Sequence, residues 1–342
     1  MSFKEKLENM ILSRSNSYKF YKEQYEKNSL PKNENPEIEA RLTEMKKELN
    51  TFKRVTDNQM ESISYLLGTA FFDYQLNEPI NVLKNIQDLS SELLLFVSEV
   101  CSKNEITWWL DFGTLLGAVR HENFIPWDDE IDIAMMRSDY FKFVDKFNDE
   151  ISDKGLTDIV CVDYINKEQN SEHIKGSLKI SINHPDCVES SLSVLNVFVY
   201  DYIGEYTKKV LKKEYKKCKN NFFKDLDNSD LKSSLDVYYE SLNLSYEQDD
   251  FIIPGIDRSK YDDDFFIFTT SKVFPLKKVR FGDNEFYAPN TDKHYLKKLY
   301  NDYYNLPKII SIPVNVDKFR YNFDSPRLFG ECIDRLNEVN ND

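Results

Sequence analysis

Residues 113–140, GTLLGAVRHENFIPWDDEIDIAMMRSDY, hold the densest arrangement of chemical groups in the chain. Four acids occupy five positions here, namely Asp128, Asp129, Glu130 and Asp132, and apolar residues follow. Crowded carboxylates repel one another, so buried ones must be paired with positive charge or bind a metal ion. This stretch therefore decides how the rest of the chain is interpreted.

The acids alternate with isoleucines where the run enters a predicted strand. Successive side chains of a strand point to opposite faces, so Asp128, Glu130 and Asp132 would share one face. Ile131 and Ile133 would point to the other. Mg²⁺ or Mn²⁺ requires such oxygen ligands on a rigid support. We predict the three acids as metal ligands and catalytic residues, and a solvated acidic turn is the alternative.

A glycine turn precedes the acids in the sequence. Gly113 and Thr114 follow a predicted strand and open a predicted helix. The N–H groups at a helix start can hold a phosphate, and the Thr114 hydroxyl can add a hydrogen bond. Gly113 and Thr114 are therefore candidate ligands of a phosphorylated substrate.

Strands and helices alternate outward from this stretch. Their interleaving indicates an α/β or α+β domain. The predicted strands are residues 106–110, 131–135, 158–165, 177–182 and 195–203. The predicted helices are residues 79–103, 115–120, 140–151 (which Ser138 could cap), 206–221, 230–243 and 292–303, the last being the final regular element. We predict a catalytic domain over residues 79–310 and a tail over 311–342.

Residues 1–78 are predicted to form a helical arm. Ile38, Leu42, Met45, Leu49, Phe52 and Val55 recur at the spacing of a near-heptad seam. Such a seam can pack on the body of its own subunit, or it can form a coiled coil that makes a homo-oligomer. Both interpretations stay open from the sequence.

The composition limits the partners of the chain. Its 45 Lys and Arg against 59 Asp and Glu give a net charge of −14, so we expect no nucleic-acid partner, which needs a basic surface. No apolar stretch of about 18 residues and no signal core occur. We expect a soluble cytoplasmic protein, with peripheral association at the inner face of a membrane left open. The five scattered cysteines predict reduced thiols.

The stretch over residues 113–140 resembles the signature of the LicD family, which is itself similar to the fukutin-type proteins. Cys101, a strand lysine at Lys179 and C-terminal pieces such as Tyr287-Ala288-Pro289 also fit the family, over roughly residues 80–310. The resemblance implies an α+β nucleotidyltransferase fold, a mixed sheet flanked by helices. It also implies transfer of phosphocholine or a similar group from a CDP-linked donor, such as CDP-choline, to a glycan acceptor, with Mg²⁺.

The resemblance also suggests further site residues. Arg120 and Arg137 are candidate phosphate ligands because a guanidinium fork suits phosphate oxygens, although a structural ion pair is the alternative for each. Lys179 is a candidate ligand of the donor phosphate. Glu130 stands where the family usually has Asp.

A second departure from the family pattern concerns the strand over residues 195–203. Asn196 stands where the pattern has a third carboxylate, which would be the natural general base. Asp201 matches the second acid of that pattern and is a candidate catalytic residue, as is Asp129 if the chain bends. A nucleotidyltransferase acting on a sugar or protein, and a catalytically silent interaction protein, are the alternatives.

Overall fold

A computed structural model describes residues 82–163, 178–187, 190–206, 208–225, 231–257, 265–303, 314–319, 322 and 324–341, with 44, 47 and 50. The chain separates into two units, Met1–Glu61 and Ser62–Asp342. In the first unit Glu44, Lys47 and Asn50 are helical and exposed. The predicted seam residues from Ile38 to Val55 lie outside the described residues.

A mixed sheet forms the centre of the second unit. Among the described residues it has eight strands, and its main path runs in the order β1-β2-β5-β4-β3. Strand β2 pairs parallel with β5, and the other pairs are antiparallel. The strands are β1 (Trp108–Leu110), β2 (Ile131–Met136), β3 (Val160–Asp163), β4 (Leu178–Ile182), β5 (Ser193–Ile203), β6 (Leu244–Ser245), β7 (Phe251–Pro254) and β8 (Phe268–Thr269). A separate hairpin consists of β9 (Lys277–Phe281) and β10 (Asn284–Ala288).

Helices flank this sheet, which confirms the α+β class with a mixed sheet. They are α1 (Val82–Lys103), α2 (Phe112–His121), α3 (Arg137–Asp153), α4 (Lys208–Asp225), α5 (Leu231–Leu242), α6 (Thr270–Val273), α7 (Asp292–Tyr300), α8 (Val314–Phe319) and α9 (Ser325–Asn340).

The main core lies between α1, the sheet and α9. Helix α1 buries one face because its apolar residues recur every three or four positions, and Ile86, Leu93 and Val97 are fully buried. Helix α9 packs against α1 with Phe329 and Leu336. A second apolar cluster joins α4, α5 and β7 to the end of β5. The sheet therefore continues from the main core into a smaller one.

The predicted elements from residue 79 to 300 are present, with boundaries that differ by a few residues. Helix α3 begins at Arg137, so Ser138 lies in its first turn and the prediction of a Ser138 cap was wrong. The prediction that residues 292–303 hold the last regular element was also wrong, because α8 and α9 follow. Hairpin β9–β10 was not predicted.

All five cysteines are free thiols, and Cys101 and Cys332 are buried in the main core. Within the described ranges, none of the helices combines the length and apolarity that crossing a membrane requires.

Candidate functional site

Helix α2 begins at a turn that Asp111 holds. Asp111 is fully buried, and its Oδ1 accepts a hydrogen bond of 2.9 Å from the backbone N–H of Phe112. Phe112 has a φ of +37°, in the left-handed region that residues with a side chain rarely adopt. Strained backbone of this kind is found at functional sites and persists only when its surroundings fix it.

Two hydrogen bonds fasten the start of α2 to Asp132 on β2. The backbone N–H of Asp111 donates to the carbonyl oxygen of Asp132 over 2.9 Å. The N–H of Asp132 in turn donates to Oγ1 of Thr114 over 2.8 Å. Thr114 is buried, so its hydroxyl holds the acid-bearing strand in place. The predicted phosphate contact of Thr114 stays a prediction.

The acids converge on Gly113. A methyl group added at Gly113 would lie 2.7 Å from Oδ2 of Asp128 and 3.7 Å from Oδ2 of Asp132. Only glycine leaves room for these carboxylates beside the first turn of α2. The structure therefore brings Gly113, Asp128 and Asp132 together, as the sequence predicted from residues that lie far apart along the chain.

A second glycine packs the connecting loop onto α2. A methyl group at Gly117 would lie 2.5 Å from the carbonyl oxygen of Asn123 and 2.9 Å from the backbone nitrogen of Ile125. The loop that leads to the acids can therefore run directly over the helix only because Gly117 has no side chain.

Three polar residues lie in one row across the sheet. Asn196 of β5 is the register partner of Asp132 on β2 and of Lys179 on β4. The Nδ2 of Asn196 donates to Oε2 of Glu130 over 3.2 Å and to Oδ1 of Asp132 over 3.1 Å. Asn196 thus bridges two of the predicted metal ligands, and Lys179 stands half-buried next to it.

The environment of these carboxyl groups favours their neutral form. Burial and the neighbouring Asp129 and Glu130 raise the pKa of Asp128 to about 7. Burial and Asp128 raise the pKa of Asp132 to about 8. Among the residues that the structure describes, no Lys or Arg forms an ion pair with Asp128, Glu130 or Asp132. Positive charge from a ligand would relieve this repulsion.

The carboxylate geometry suits two protein ligands rather than three. Within the described residues no group of three His, Cys, Asp or Glu side chains has the arrangement of a metal site. Mg²⁺ is commonly held by one or two carboxylates together with waters and substrate phosphates. Asp128 and Asp132, which both reach the Gly113 turn, fit such a site. Glu130 is turned toward Asn196.

Asp129 points away from the other acids. Its Oδ2 accepts a hydrogen bond of 3.1 Å from the backbone N–H of Asn315, at the start of α8. The carbonyl oxygen of Asp128 accepts one of 2.9 Å from Nε2 of Gln87 on α1. Strand β2 begins only at Ile131, so residues 128–130 lie before the strand, in an irregular segment that contacts two helices.

Arg137 and Asp201 form a buried ion-pair group away from the Gly113 turn. The Arg137 Nε donates to Oδ1 of Asp201 over 2.9 Å, and its Nη1 and Nη2 each donate to Asp257 over 2.7 Å. Tyr239 also donates to Asp201. Asp201 lies five residues beyond Asn196, about 16 Å along β5. The structure therefore does not bring Arg137 or Asp201 to the acids.

Arg120 also lies away from the Gly113 turn. It is near the end of α2, seven residues after Gly113, or about 10 Å along the helix axis. Its Nη1 donates to the carbonyl oxygen of Tyr303 over 3.1 Å, and its guanidinium carbon is 6.0 Å from the centre of the Trp127 ring. These contacts differ from both predictions for Arg120, since none of them is an ion pair with the acidic run.

Sequence reasoning missed Asp111 and the tyrosines that contact it. Tyr200 on β5 donates to Oδ2 of Asp111 over 2.8 Å, and Tyr295 on α7 donates to the Tyr200 hydroxyl over 3.1 Å. Asp111 before the glycine turn was the available signal, since Asp is a preferred residue immediately before a helix. The two tyrosines come from distant segments and had no local signal.

A strand, a glycine turn, a helix start and an acid-bearing neighbouring strand are the arrangement expected of a nucleotidyltransferase domain. Residues 105–173 match the family described as LicD/FKTN/FKRP, nucleotidyltransferase domain. The similarity of this chain to the LicD family is carried by this segment.

Individual relatives are similar over short segments. The lipopolysaccharide cholinephosphotransferase LicD of Haemophilus influenzae is 43% identical over 63 residues, which is 18% of this chain and 24% of that protein. An uncharacterized protein of Rickettsia typhi is 46% identical over 52 residues, 15% of this chain and 17% of that one. An uncharacterized protein of Rickettsia prowazekii is 48% identical over 48 residues, which is 14% of this chain and 18% of that protein. Each match thus spans about a quarter or less of the relative's length.

Proposed function

We propose that this chain is a phosphotransferase that moves a phospho-substituent, phosphocholine or a similar group, from a CDP-linked donor to a hydroxyl of a cell-surface glycan. The observation that carries this proposal is the convergence of Asp128 and Asp132 on Gly113 at the start of α2. It lies in the segment shared with the LicD family, and the Haemophilus relative is named as a cholinephosphotransferase.

The donor's diphosphate would lie at the first turn of α2. The N–H groups of a helix start and the positive end of the helix dipole favour phosphate there. Gly113 leaves space beside the backbone for the Asp128 carboxylate, with which a side chain at this position would collide. Lys179, half-buried at the far end of the polar row, is the cation we propose for a donor oxygen.

Magnesium or manganese would be held by Asp128 and Asp132. The raised pKa of each carboxyl group, caused by burial and by neighbouring acids, is what a cation at this place would reverse. When bound, the metal ion would neutralise the negative charge that develops during phosphoryl transfer.

The reaction breaks one bond to phosphorus and forms another. The glycan hydroxyl oxygen bonds to the β-phosphorus of the donor, the bond from that phosphorus to the bridging oxygen breaks, and CMP leaves. Glu130 is the carboxylate we propose as acceptor of the hydroxyl proton, because Asp129 is bound to the start of α8 and Asp201 is paired with Arg137. Asn196 orients Glu130 through its 3.2 Å hydrogen bond.

Incubation with a set of CDP-linked donors tests this proposal. The purified chain is incubated with CDP-choline, CDP-ethanolamine and CDP-glycerol and glycan acceptors, with Mg²⁺ or with a chelator, and CMP is measured. We expect metal-dependent CMP release that Asp132→Ala abolishes and that Glu130→Gln lowers by about 100-fold or more through kcat. Pyrophosphate from nucleoside triphosphates would instead identify a nucleotidyltransferase acting on a sugar or protein.

A catalytically silent interaction protein is the second candidate, and Asn196 favours it. Its amide already satisfies Glu130 and Asp132 without a metal ion. The absence of CMP release with every donor and acceptor, together with absent nucleotide binding, would support this candidate.

A further inference from the structure

A hydrogen-bond network of buried polar groups runs from α7 to the first turn of α2. The Nε1 of Trp109 lies 3.4 Å from the Tyr295 hydroxyl, which donates to Tyr200 over 3.1 Å. Tyr200 donates to Asp111 over 2.8 Å. Asp111, Trp109, Tyr200 and Tyr295 are all nearly inaccessible to solvent, so no water competes for these bonds.

This hydrogen-bond network ends at Phe112, the residue of the site whose backbone is strained. One oxygen of Asp111 accepts from Tyr200, and the other accepts from the N–H of Phe112, the residue with positive φ. The backbone of Asp111 also donates to Asp132. Asp111 therefore touches both the turn and the strand whose separation sets the space beside Gly113.

We infer that Asp111, oriented by Tyr200 and Tyr295, is a positioning residue that fixes the Phe112–Gly113 turn and thereby the distance between the α2 start and Asp132. This inference rests on the proposed function, since that distance matters only if a donor phosphate and a cation lie between them. We give Asp111 a positioning role because its two side-chain oxygens accept hydrogen bonds from Phe112 and Tyr200.

Conservative Tyr→Phe changes separate this role from ordinary stability. Tyr200→Phe removes the donor to Asp111 but keeps the ring, and Tyr295→Phe removes the next hydroxyl. Tyr239→Phe is the matched control, because it deletes a buried tyrosine–aspartate hydrogen bond of 2.7 Å to Asp201, away from the acids. Tyr200→Phe and Tyr239→Phe each remove a buried tyrosine–aspartate hydrogen bond, and Tyr200→Phe also removes the bond that Tyr200 accepts from Tyr295.

The experiment measures kcat and KM for CMP release, melting temperature, and deuterium exchange of the amides of residues 112–116. We expect Tyr200→Phe to lower kcat/KM for the donor by about 10- to 100-fold, as loss of a supporting partner does at metal sites. Tyr295→Phe should have a smaller effect, and Tyr239→Phe should lower the melting temperature but keep wild-type kinetics. Asp111→Asn should retain more activity than Asp111→Ala.

Equal kinetic effects of Tyr200→Phe and Tyr239→Phe, or wild-type kinetics in Tyr200→Phe, would overturn the inference while leaving the proposed function intact. If the wild type releases no CMP from any donor, the proposed function fails. The role of Asp111 is then tested by deuterium exchange alone. Faster exchange of residues 112–116 in Tyr200→Phe than in Tyr239→Phe would still support Asp111 as the residue that fixes the turn. Equal exchange in the two variants would overturn it.

Discussion

At the scale of single residues, the carboxyl groups of Asp128 and Asp132 differ most from ordinary aspartates. Burial and neighbouring acids raise the pKa of Asp128 to about 7 and that of Asp132 to about 8. Asn196 offsets part of this by donating to Asp132 over 3.1 Å. A protein without a cation at this place must therefore keep protons on its acids or accept their repulsion.

The metal-free protein should lose stability as the pH rises from about 5 to about 8. The folded pKa values of Asp128 and Asp132 lie above the unfolded values, so the folded state binds more protons in this interval and loses its advantage as they dissociate. Melting temperatures in a chelator should therefore fall with pH. The decline should be shallower for Asp132→Asn, whereas Asp334→Asn, an exposed acid on α9, should keep the wild-type slope.

Magnesium at about pH 8 should raise the melting temperature of the wild type, because ionised carboxylates bind the cation. The melting temperature of Asp132→Asn should stay nearly unchanged, since this variant lacks one of the two carboxylates. A melting temperature that rises with pH in the chelator, or one that Mg²⁺ does not alter, would contradict this electrostatic account.

Asn196→Asp tests the missing third carboxylate. The change replaces the donor to Glu130 and Asp132 by another acid, so the metal-free protein should be destabilised by about 1–3 kcal/mol. With Mg²⁺ the added ligand should tighten metal binding, which calorimetry measures directly. Asn183→Asp, beyond the end of β4, is a control with the same chemical change. Weaker Mg²⁺ binding in Asn196→Asp would show that the amide itself is required.

The part of the candidate site that depends on short sequence patterns was predictable from the sequence. Acids next to a strand and glycine before a helix are local patterns, and Gly113, Asp128 and Asp132 do meet. The partners of Arg137 were not predictable. Asp201 and Asp257 are 64 and 120 residues away, and only the folded chain brings them together.

At the scale of elements, Arg137 fastens the junction of β2 and α3 to the smaller core. It lies between Asp201 on β5 and Asp257 after β7, and all three are almost completely buried. Asp201 and Asp257 hold the pKa of Arg137 above its usual range despite its burial. The smaller core therefore packs onto the sheet through charges as well as apolar contacts.

Arg137→Met should destabilise the protein by about 3–5 kcal/mol, because it leaves two buried carboxylates without their partner. Urea unfolding measures the change. Arg335→Met, which removes an exposed ion pair to Asp158, should cost about 0–1 kcal/mol and is the control. Equal costs for the two variants would show that the buried group contributes no more than a surface pair.

The elements that were not predicted from the sequence lie after residue 243: β6, β7, β8, α6, the β9–β10 hairpin, α8 and α9. Helix α9 buries Leu328, Phe329, Cys332, Leu336 and Val339, a helical pattern that was present in the sequence but followed a polar stretch. Hairpin β9–β10 alternates buried and exposed positions over only five residues per strand, too short to distinguish from a loop.

At the scale of the molecule, the family segment 105–173 does not complete its own core. Strand β5, with Asn196 and Tyr200, lies beyond it, and so do α1 and α9, whose packing covers one side of the sheet. The site therefore depends on elements outside the segment that matches the family model.

Leu336→Ala should test that dependence. Leu336 is fully buried in the main core, so truncation should cost about 2–5 kcal/mol in urea unfolding. Glu338→Ala, on the exposed side of α9, should stay within about 0.5 kcal/mol of the wild type. A near-neutral Leu336→Ala would show that α9 contributes little to the fold.

The central claim is that Gly113, Asp128 and Asp132 form one site for a cation and a donor diphosphate. Calorimetric titration of the full chain with CDP, in Mg²⁺ or in chelator, tests it most directly, with Asp132→Ala and Asp334→Ala as the matched pair. We predict binding that requires Mg²⁺, is lost in Asp132→Ala and is unchanged in Asp334→Ala. CDP binding that is equally tight in chelator and in Asp132→Ala would contradict the claim.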